Sequence, residues 1–203
     1  MGSEYSIFLT QDTILKRSDQ SQPEEEQVIL VDEQDNSIGI AGKWVAHQRG
    51  LLHRAFSVCV IRQDREEWSL LLQQRAADKY HSRGQWTNTC CSHPRPDESL
   101  IEAGQRRLQE EMGFTLPLTV IGHFTYCAVL DTGLVEHEFD HVLLGVMDTP
   151  LIFIPNPSEV MAYRWVTISQ LEKEKAEAPE QYTPWLDGVL ACLASGMKTV
   201  NRV

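Results

Sequence analysis

Basic residues are scarce in this chain. It carries 18 Lys and Arg against 29 Asp and Glu, which gives a formal net charge of -11 over 203 residues. Nucleic acids and anionic membranes are bound through basic surfaces, so this balance argues against both as partners. A small basic pocket inside an acidic surface is still compatible with a phosphorylated small molecule.

Long hydrophobic runs are also missing. No apolar stretch approaches the roughly 20 residues that span a bilayer. The first residues, MGSEYSIFLTQDTILKRSDQ, lack the basic start and apolar core of a secretory signal. We therefore expect a cytoplasmic protein. Its five cysteines are expected to be free thiols in a reducing compartment, with Cys59 and Cys192 as small buried core residues.

The chain has neither internal repeats nor low-complexity linkers. Residues 1–27 are polar and weakly periodic, which predicts an N-terminal extension, and 28–203 fits a single domain with C-terminal helices. Strand patterns begin at Val28 and recur at 55–62, 68–75, 118–130, 138–148 and 160–166. Helical patterns occur at 99–114, 168–178 and 182–197, and the first is stopped by Gly113. This mixture predicts an α+β or mixed α/β sandwich.

The stretch QWTNTCCSHP, at 85–94, raises the question of chemistry. It is compatible with a metal site, a reactive thiol, half of a disulfide or an ordinary buried turn. The adjacent Cys90 and Cys91 are poorly placed to bond to each other. Neighbouring side chains of an extended chain point in opposite directions, so at most one of these thiols faces a given site.

The segment from Ser92 to Phe114 resembles the Nudix box, a loop, helix and loop that present carboxylates to a metal bound to a diphosphate. The matching positions are Glu98, Arg106, Glu110, Glu111 and Gly113. Two positions depart from the box. Ser92 stands at its leading glycine and Arg107 at one of its glutamates, which would remove part of a hydrolase's metal cluster. Arg107 lies four residues before Glu111, so we expect an ion pair. A charged surface helix is the alternative interpretation.

An ordered set of further motifs resembles one branch of that superfamily, the type I isopentenyl-diphosphate isomerases. These motifs are KWVAH followed by a second His, QQRAADK, WTNTCCSHP, FTYCA, GLVEHEFDH and TPW, and they extend from about Val28 to Trp185. The resemblance implies a Nudix-type fold with mixed and antiparallel sheets flanked by helices, in which 28–203 is one catalytic domain. It also implies a monomer or weak homodimer acting on an isoprenyl diphosphate in isoprenoid biosynthesis.

The resemblance implies a transition-metal site for one Zn²⁺ or Mn²⁺. Its ligands would be His47, His53, His93, Glu136 and Glu138, a set of five that favours octahedral over tetrahedral geometry. Glu136 and Glu138 face the same side of a strand. His47 and His53 are six positions apart, which is no helical pair, so we expect a loop that bends around the ion. His137 and His141 are expected to be structural.

The same resemblance assigns the remaining site residues. It implies catalysis by Cys91 and Glu138, with Tyr126 hydrogen-bonded nearby. Mg²⁺ would be held by Glu111 and by the backbone carbonyl of Cys91. Substrate-binding positions would be Lys43, Arg75, Lys79, Ser92 and Trp185. Trp185 is equally compatible with a core tryptophan, and Trp86 is a second candidate for the wall of the pocket.

The implied reaction is the isomerisation of isopentenyl diphosphate to dimethylallyl diphosphate through a tertiary carbocation. Two other functions compete with it. A Nudix hydrolase would release phosphate, but Arg107 and Cys91 argue against that activity. A metal-binding interaction domain would take up metal without turnover, but the complete set of Cys91, Tyr126 and Glu138 argues against that role.

Overall fold

A computed structural model of the chain describes residues 26–64, 67–130 and 132–200. The predicted extension, up to residue 25, lies outside the described residues. The strands are β1 (Gln27–Val31), β2 (Ser37–Gly42), β3 (His53–Asp64), β4 (Glu67–Arg75), β5 (Trp86–Thr87), β6 (Cys90–Ser92), β7 (Thr119–Val129), β8 (Val135–Val146) and β9 (Val160–Thr167). The helices are α1 (Lys43–Arg49), α2 (Leu100–Met112), α3 (Ile168–Glu177) and α4 (Leu186–Val200), and a 3-10 turn spans Pro179–Gln181.

The strands of the described chain form one mixed sheet around β3. β3 pairs in parallel with β8, from His53 opposite Glu138 to Ile61 opposite Val146. It also pairs antiparallel with β4 and with the short β6. Antiparallel pairs of β7 with β8 and of β9 with β4 extend the sheet on its two sides. This arrangement confirms the predicted α+β class, and the predicted strands at 118–130 and 138–148 pair with each other as β7 and β8.

Helices cover both faces of the sheet because the central strands are apolar on both sides. Successive residues of β3 alternate between two cores. Val58 packs with Leu108 of α2 on one face, and Cys59 packs with Leu171 of α3 and Leu193 of α4 on the other. The functional residues described below lie at the polar end of these two layers.

Helix α2 begins and ends where the sequence predicts. The Ser99 hydroxyl oxygen accepts from the Glu102 backbone N–H, and the Glu102 carboxylate accepts from the Ser99 N–H, which completes a capping box. Gly113, at a φ of 80°, ends the helix in the left-handed conformation. Leu108 and Met112 of the predicted apolar stripe are fully buried. The Nudix-box residues are therefore held on a well-defined helix.

Helix α1 differs from the prediction. The segment KWVAHQR forms a short helix rather than a loop, and Gly50, at a φ of 62°, ends it. Three residues later His53 begins β3. A helix of seven residues is too short to show a periodic pattern, which explains why the sequence does not reveal it.

The cysteine motif and its surroundings also gain detail. The stretch at 85–94 forms the short strands β5 and β6 rather than a simple turn. Cys59 is fully buried as predicted, whereas Cys192, which was predicted to be buried, is only half-buried. Among the described residues, no helix has the length and apolar character needed to cross a bilayer.

Candidate active site

Three histidines and a glutamate converge where β3, β6 and β8 meet. His53 begins β3 directly opposite Glu138 of β8, His93 follows β6, and His47 lies in the last turn of α1. One ligand atom from each of these four residues lies within 4.8 Å of the others, and all four residues are buried. The structure therefore brings together four of the five predicted ligands of the transition metal.

The hydrogen bonds behind two of the rings support a metal site. His47 Nδ1 lies 2.7 Å from the carbonyl oxygen of Lys43, and His53 Nδ1 lies 2.8 Å from that of Leu51. A carbonyl oxygen only accepts, so each Nδ1 carries a proton and Nε2 is the ring nitrogen that faces the cluster.

The free ring nitrogens are close together. His53 Nε2 lies 3.2 Å from His93 Nε2, and Glu138 Oε1 lies 2.9 Å from His93 Nε2. Burial lowers the pKa of His93 to about 4, so its imidazole is neutral at pH 7. A converging group of imidazole nitrogens and a carboxylate fits a divalent transition metal.

The fifth predicted ligand, Glu136, lies beside this cluster. Its Oε2 is 3.2 Å from His47 Nε2, and its Oε1 is 3.1 Å from Nε2 of His81. Burial, together with the nearby Glu138, raises the pKa of Glu136. His81 is a buried residue that the sequence analysis does not identify. Its carbonyl oxygen also accepts from Arg75 Nη2 at 3.3 Å, so it connects the metal ligands with a predicted phosphate-binding cation.

Cys91 and Glu138 line the same cavity, as the predicted chemistry requires. Cys91 belongs to β6, opposite Ser57 of β3, and Glu138 belongs to β8, which pairs with the other side of β3. The Tyr126 hydroxyl donates to Glu138 Oε2 at 2.6 Å, because Tyr126 faces Glu138 across the pair of β7 and β8. The predicted hydrogen bond of Tyr126 is therefore present.

Burial and hydrogen bonding together set the protonation of these groups. Burial raises the pKa of Cys91 to about 12, so the thiol stays protonated at pH 7. It also raises the pKa of Tyr126 well above its usual value. For Glu138 burial opposes ionisation, but the hydrogen bonds of His53 and His93 hold its pKa well below the usual range. The cavity thus contains a neutral thiol and an ionised carboxylate.

The predicted substrate-binding cations line this cavity too. Lys43, Arg75 and Lys79 contribute to its wall together with Ser92. Lys43 Nζ pairs with Glu26 at 2.9 Å, and Lys79 pairs with Glu159, in the loop before β9. Arg75 is buried. The cavity therefore contains several cations, although carboxylates line it as well.

Glu111, the predicted magnesium ligand, reaches the cavity from α2. Its Oε1 accepts from Arg107 at 2.5 Å and its Oε2 accepts from Gln73 at 2.9 Å. The first of these bonds is the predicted ion pair within the helix. Each oxygen keeps a second lone pair, so the carboxylate is still able to bind a cation.

Trp185 belongs both to the core and to the wall of the cavity. It is 4% exposed, packs in the apolar cluster beneath α4 and lines the cavity. The sequence left open whether Trp185 is a core residue or a wall of the pocket, and the structure shows that it is both. Trp86 was a candidate for the same role, but it lies outside the lining of this cavity and stacks on the Arg164 guanidinium at 4.6 Å.

Several polar residues of the site are not identified by sequence reasoning. Besides His81 they include Gln73 on the Glu111 side and Ser57 and Asp140 on the Cys91 side, all of which line the cavity. The Ser57 hydroxyl donates to Asp140 Oδ2 at 2.7 Å. Asp140 continues the alternation of Glu136 and Glu138 along β8, so strand periodicity offered one signal for it.

Comparisons with known proteins identify the fold. A family model described as NUDIX domain matches residues 51–186. The crystal structure of DR0079 from Deinococcus radiodurans superposes with a TM-score of 0.66 at 18% identity, covering 82% of this chain and 99% of that one. A C. elegans Ap4A hydrolase superposes with a TM-score of 0.53 at 18% identity, covering 72% and 98%. These likenesses define the fold as that of a Nudix domain.

The similar sequences are more specific. Isopentenyl-diphosphate Delta-isomerase 2 of Aromatoleum aromaticum is 48% identical over 172 residues, 83% of this chain and 88% of that protein. The isopentenyl-diphosphate Delta-isomerase of Photobacterium profundum is 51% identical over 168 residues, 82% and 93%. The chain belongs to the isopentenyl-diphosphate Delta-isomerase family of Nudix proteins.

Proposed function

We propose that this protein isomerises isopentenyl diphosphate to dimethylallyl diphosphate in isoprenoid biosynthesis. The observation that carries the proposal is a single cavity that the Cys91 thiol and the Glu138 carboxylate both line. The relatives that bear the isomerase name, at 48% and 51% identity, support the same activity.

The substrate dictates the order of events. Its double bond is not activated, so a proton must first add to the terminal methylene carbon and produce a tertiary carbocation. A proton then leaves the neighbouring chain carbon, and the double bond moves. Cys91 and Glu138 are the two proton-transfer groups, and their roles reverse in the back reaction. Tyr126 orients Glu138 through the hydrogen bond to Oε2.

The carbocation must be kept from water, which would trap it as an alcohol. The indole of Trp185 is buried and lines the cavity. An aromatic face stabilises a desolvated cation by about 0.5–2 kcal/mol. Trp185 therefore both shields and stabilises the intermediate.

Positive side chains anchor the diphosphate at the other end of the substrate. Arg75 offers a planar fork for phosphate oxygens, Lys43 and Lys79 offer point charges, and Ser92 offers a hydroxyl. Lys43 and Lys79 pair with glutamates, so the diphosphate oxygens must compete with these carboxylates for the two cations.

Two metal ions complete the proposal. A Zn²⁺ or Mn²⁺ ion held by the three histidines with Glu136 and Glu138 would withdraw charge from Glu138 and so strengthen it as an acid. Mg²⁺ at Glu111, with the backbone carbonyl of Cys91, would neutralise the diphosphate. The protein's part is to orient the His47 and His53 rings through the carbonyl oxygens that accept from their Nδ1 atoms.

Product analysis tests the proposed function directly. The protein is incubated with isopentenyl diphosphate, Mg²⁺ and Mn²⁺ or Zn²⁺, and the mixture is assayed for the allylic isomer and for released phosphate. We expect the isomer without phosphate. Phosphate release would instead indicate a Nudix hydrolase, and metal uptake without either product would indicate an interaction domain.

We propose further that residues 28–203 form the catalytic domain, that the protein acts in the cytoplasm and that it is a monomer or weak homodimer. The matches to the relatives, which extend over 172 and 168 residues, support the size of this domain. Sedimentation of the purified protein over a range of concentrations tests the oligomeric state.

A further inference from the structure

A hydrogen-bonded chain of buried side chains runs between Trp185 and Cys91. Its two middle members are Thr87, at the end of β5, and Asn88, in the connection to β6, and both are 0% exposed. Neither residue is assigned a role by the proposed function. These hydrogen bonds matter because they join Trp185, in the wall of the cavity, to the Cys91 thiol.

The direction of each bond follows from counting donors and acceptors. Thr87 Oγ1 accepts from Trp185 Nε1 at 2.9 Å and from the Thr183 hydroxyl at 3.0 Å, which occupies both of its lone pairs. Its own proton therefore goes to Asn88 Oδ1, at 3.0 Å. The Thr87 hydroxyl is thus fully used and has no freedom to rotate.

The amide of Asn88 is equally constrained. Its Nδ2 donates to the carbonyl oxygens of Val58 at 3.1 Å and Cys90 at 3.0 Å. A flipped amide would place its oxygen against these two carbonyl oxygens, so only one orientation is possible. Asn88 Oδ1 is therefore an acceptor with two donors, the Thr87 hydroxyl and the Cys91 thiol, which lies 3.1 Å away.

The Ser57 hydroxyl, which also lies near the sulfur, supports the same direction for the thiol proton. Ser57 Oγ lies 3.5 Å from Cys91 Sγ, and its proton is committed to Asp140 Oδ2 at 2.7 Å. Thr87 Oγ1 is farther away, at 4.0 Å. Asn88 Oδ1 is therefore the closest of the three oxygens to the sulfur and receives the thiol proton. The sulfur is consequently held at one place in the cavity wall, with its proton pointing to a fixed oxygen.

We infer that Thr87 and Asn88 are positioning residues that fix the Cys91 thiol and the Trp185 indole relative to each other. The inference rests on the proposed function, since it assumes that Cys91 transfers a proton and that Trp185 faces the cation. A displacement of about 1 Å between reacting groups costs on the order of 100-fold in rate. Because Thr87 and Asn88 hold both the thiol and the indole, the two groups keep a fixed position relative to the substrate.

The same loop offers a matched control. Thr89 is also 0% exposed, but its hydroxyl donates to the Leu71 carbonyl and accepts from the Val60 N–H, both in the core. Thr87→Val and Thr89→Val therefore remove the same atom from neighbouring buried sites. Only Thr87→Val removes the hydrogen bonds that connect Trp185 with Cys91.

The test compares Thr87→Val, Thr87→Ser and Thr89→Val in the metal-loaded protein. We expect Thr87→Val to lower kcat about 10- to 100-fold with KM within about twofold, and Thr87→Ser to restore most of kcat. Thr89→Val should lower Tm yet leave kcat within about twofold. Unchanged kcat in Thr87→Val, or an equal loss in Thr89→Val, would overturn the inference.

A second measurement follows the reactivity of the Cys91 thiol instead of turnover. Trp185→Phe removes the indole N–H, and the alkylation rate of Cys91, followed by peptide mass spectrometry, should change because Thr87 loses a partner. In Thr87→Val the same exchange should have no further effect. An unchanged alkylation rate in Trp185→Phe would contradict the coupling.

If wild-type protein makes no allylic isomer, the proposed function itself fails. Normal wild-type turnover together with a fully active Thr87→Val rejects only this inference.

Discussion

Cys90 and Cys91 are adjacent residues in different surroundings. Cys90 is fully buried and packs against the core beneath α2. Cys91 points to the opposite face of β6, where it lines the cavity. The period of a strand therefore separates a core thiol from one that faces the cavity, as the sequence predicts.

Exchanging each cysteine for alanine tests this division. Cys91→Ala should abolish isomerisation but leave the fold and the affinity for the diphosphate largely intact, because the cations lie elsewhere in the cavity. Cys90→Ala should keep the wild-type rate and lower the free energy of unfolding by about 1 kcal/mol through a small cavity. Steady-state kinetics and chemical denaturation of both variants provide the measurement, and normal turnover by Cys91→Ala would remove this thiol from the mechanism.

At the scale of elements, α2 and the loop before it form one unit. Arg106 binds Glu98 through two hydrogen bonds, of 2.6 and 2.8 Å. This pair closes the loop that leads from His93 to the helix. The bond to Arg106 holds the pKa of Glu98 below its ordinary value of 4.5, although partial burial opposes the shift.

The lowered pKa of Glu98 predicts a specific dependence on pH. A carboxyl group whose pKa falls on folding stabilises the protein above its unfolded pKa, and this stability is lost as the pH falls through the folded pKa. We expect Glu98→Gln to be less stable than wild type by about 1 kcal/mol at pH 7. The difference should shrink as the pH falls below the ordinary value of 4.5. Urea denaturation at several pH values measures it, and a constant difference would mean that packing rather than charge is responsible.

The end of α2 depends on a glycine for two separate reasons. Gly113 has a φ of 80°, and a Cβ atom there would lie 2.5 Å from the backbone oxygen of Ile154. Gly133, in the β7–β8 turn, has a φ of 78°, and a Cβ atom there would meet none of the described atoms within 4 Å. The two glycines therefore share a backbone strain but differ in available space.

Alanine at these two glycines should separate the effects. Gly133→Ala should cost about 1 kcal/mol of stability, the usual cost of the left-handed conformation. Gly113→Ala should cost clearly more, because the backbone of Ile154 must move. Thermal denaturation measures both changes, and equal losses would show that the contact with Ile154 yields easily.

At the scale of the whole molecule, the metal ligands tie together elements that are distant in sequence. His47 comes from α1, His53 from β3, His93 from the segment after β6 and Glu138 from β8. An ion bound by all four would stabilise the native state and not the unfolded chain, by about 4 kcal/mol at a thousand times its Kd.

Removing the metal tests this link between site and fold. Chelation should lower Tm and abolish activity. Zn²⁺ or Mn²⁺ should restore Tm, whereas Mg²⁺ alone should not, because imidazole ligands favour transition metals. His93→Ala serves as the control, and its Tm should not respond to the chelator. Full activity and an unchanged Tm in metal-free wild-type protein would contradict the site.

Local patterns in the sequence already indicated much of this protein. Helix spacing predicts α2 and the bond of Arg107 to Glu111, and strand alternation places Glu136 with Glu138 and separates Cys90 from Cys91. The resemblance to the isomerase family supplied the ligands and the catalytic set. The predictions from helix spacing and strand alternation succeed because each depends on residues within a few positions of one another.

Only the tertiary structure decided which distant residues meet. The parallel register of β3 and β8 places His53 beside Glu138, and the docking of the segment before α4 on β5 places Trp185 over Thr87. His81 and Asn88 gain their partners in the same way. Sequence spacing does not encode these contacts, because strand register and helix docking are set by the burial of both cores together.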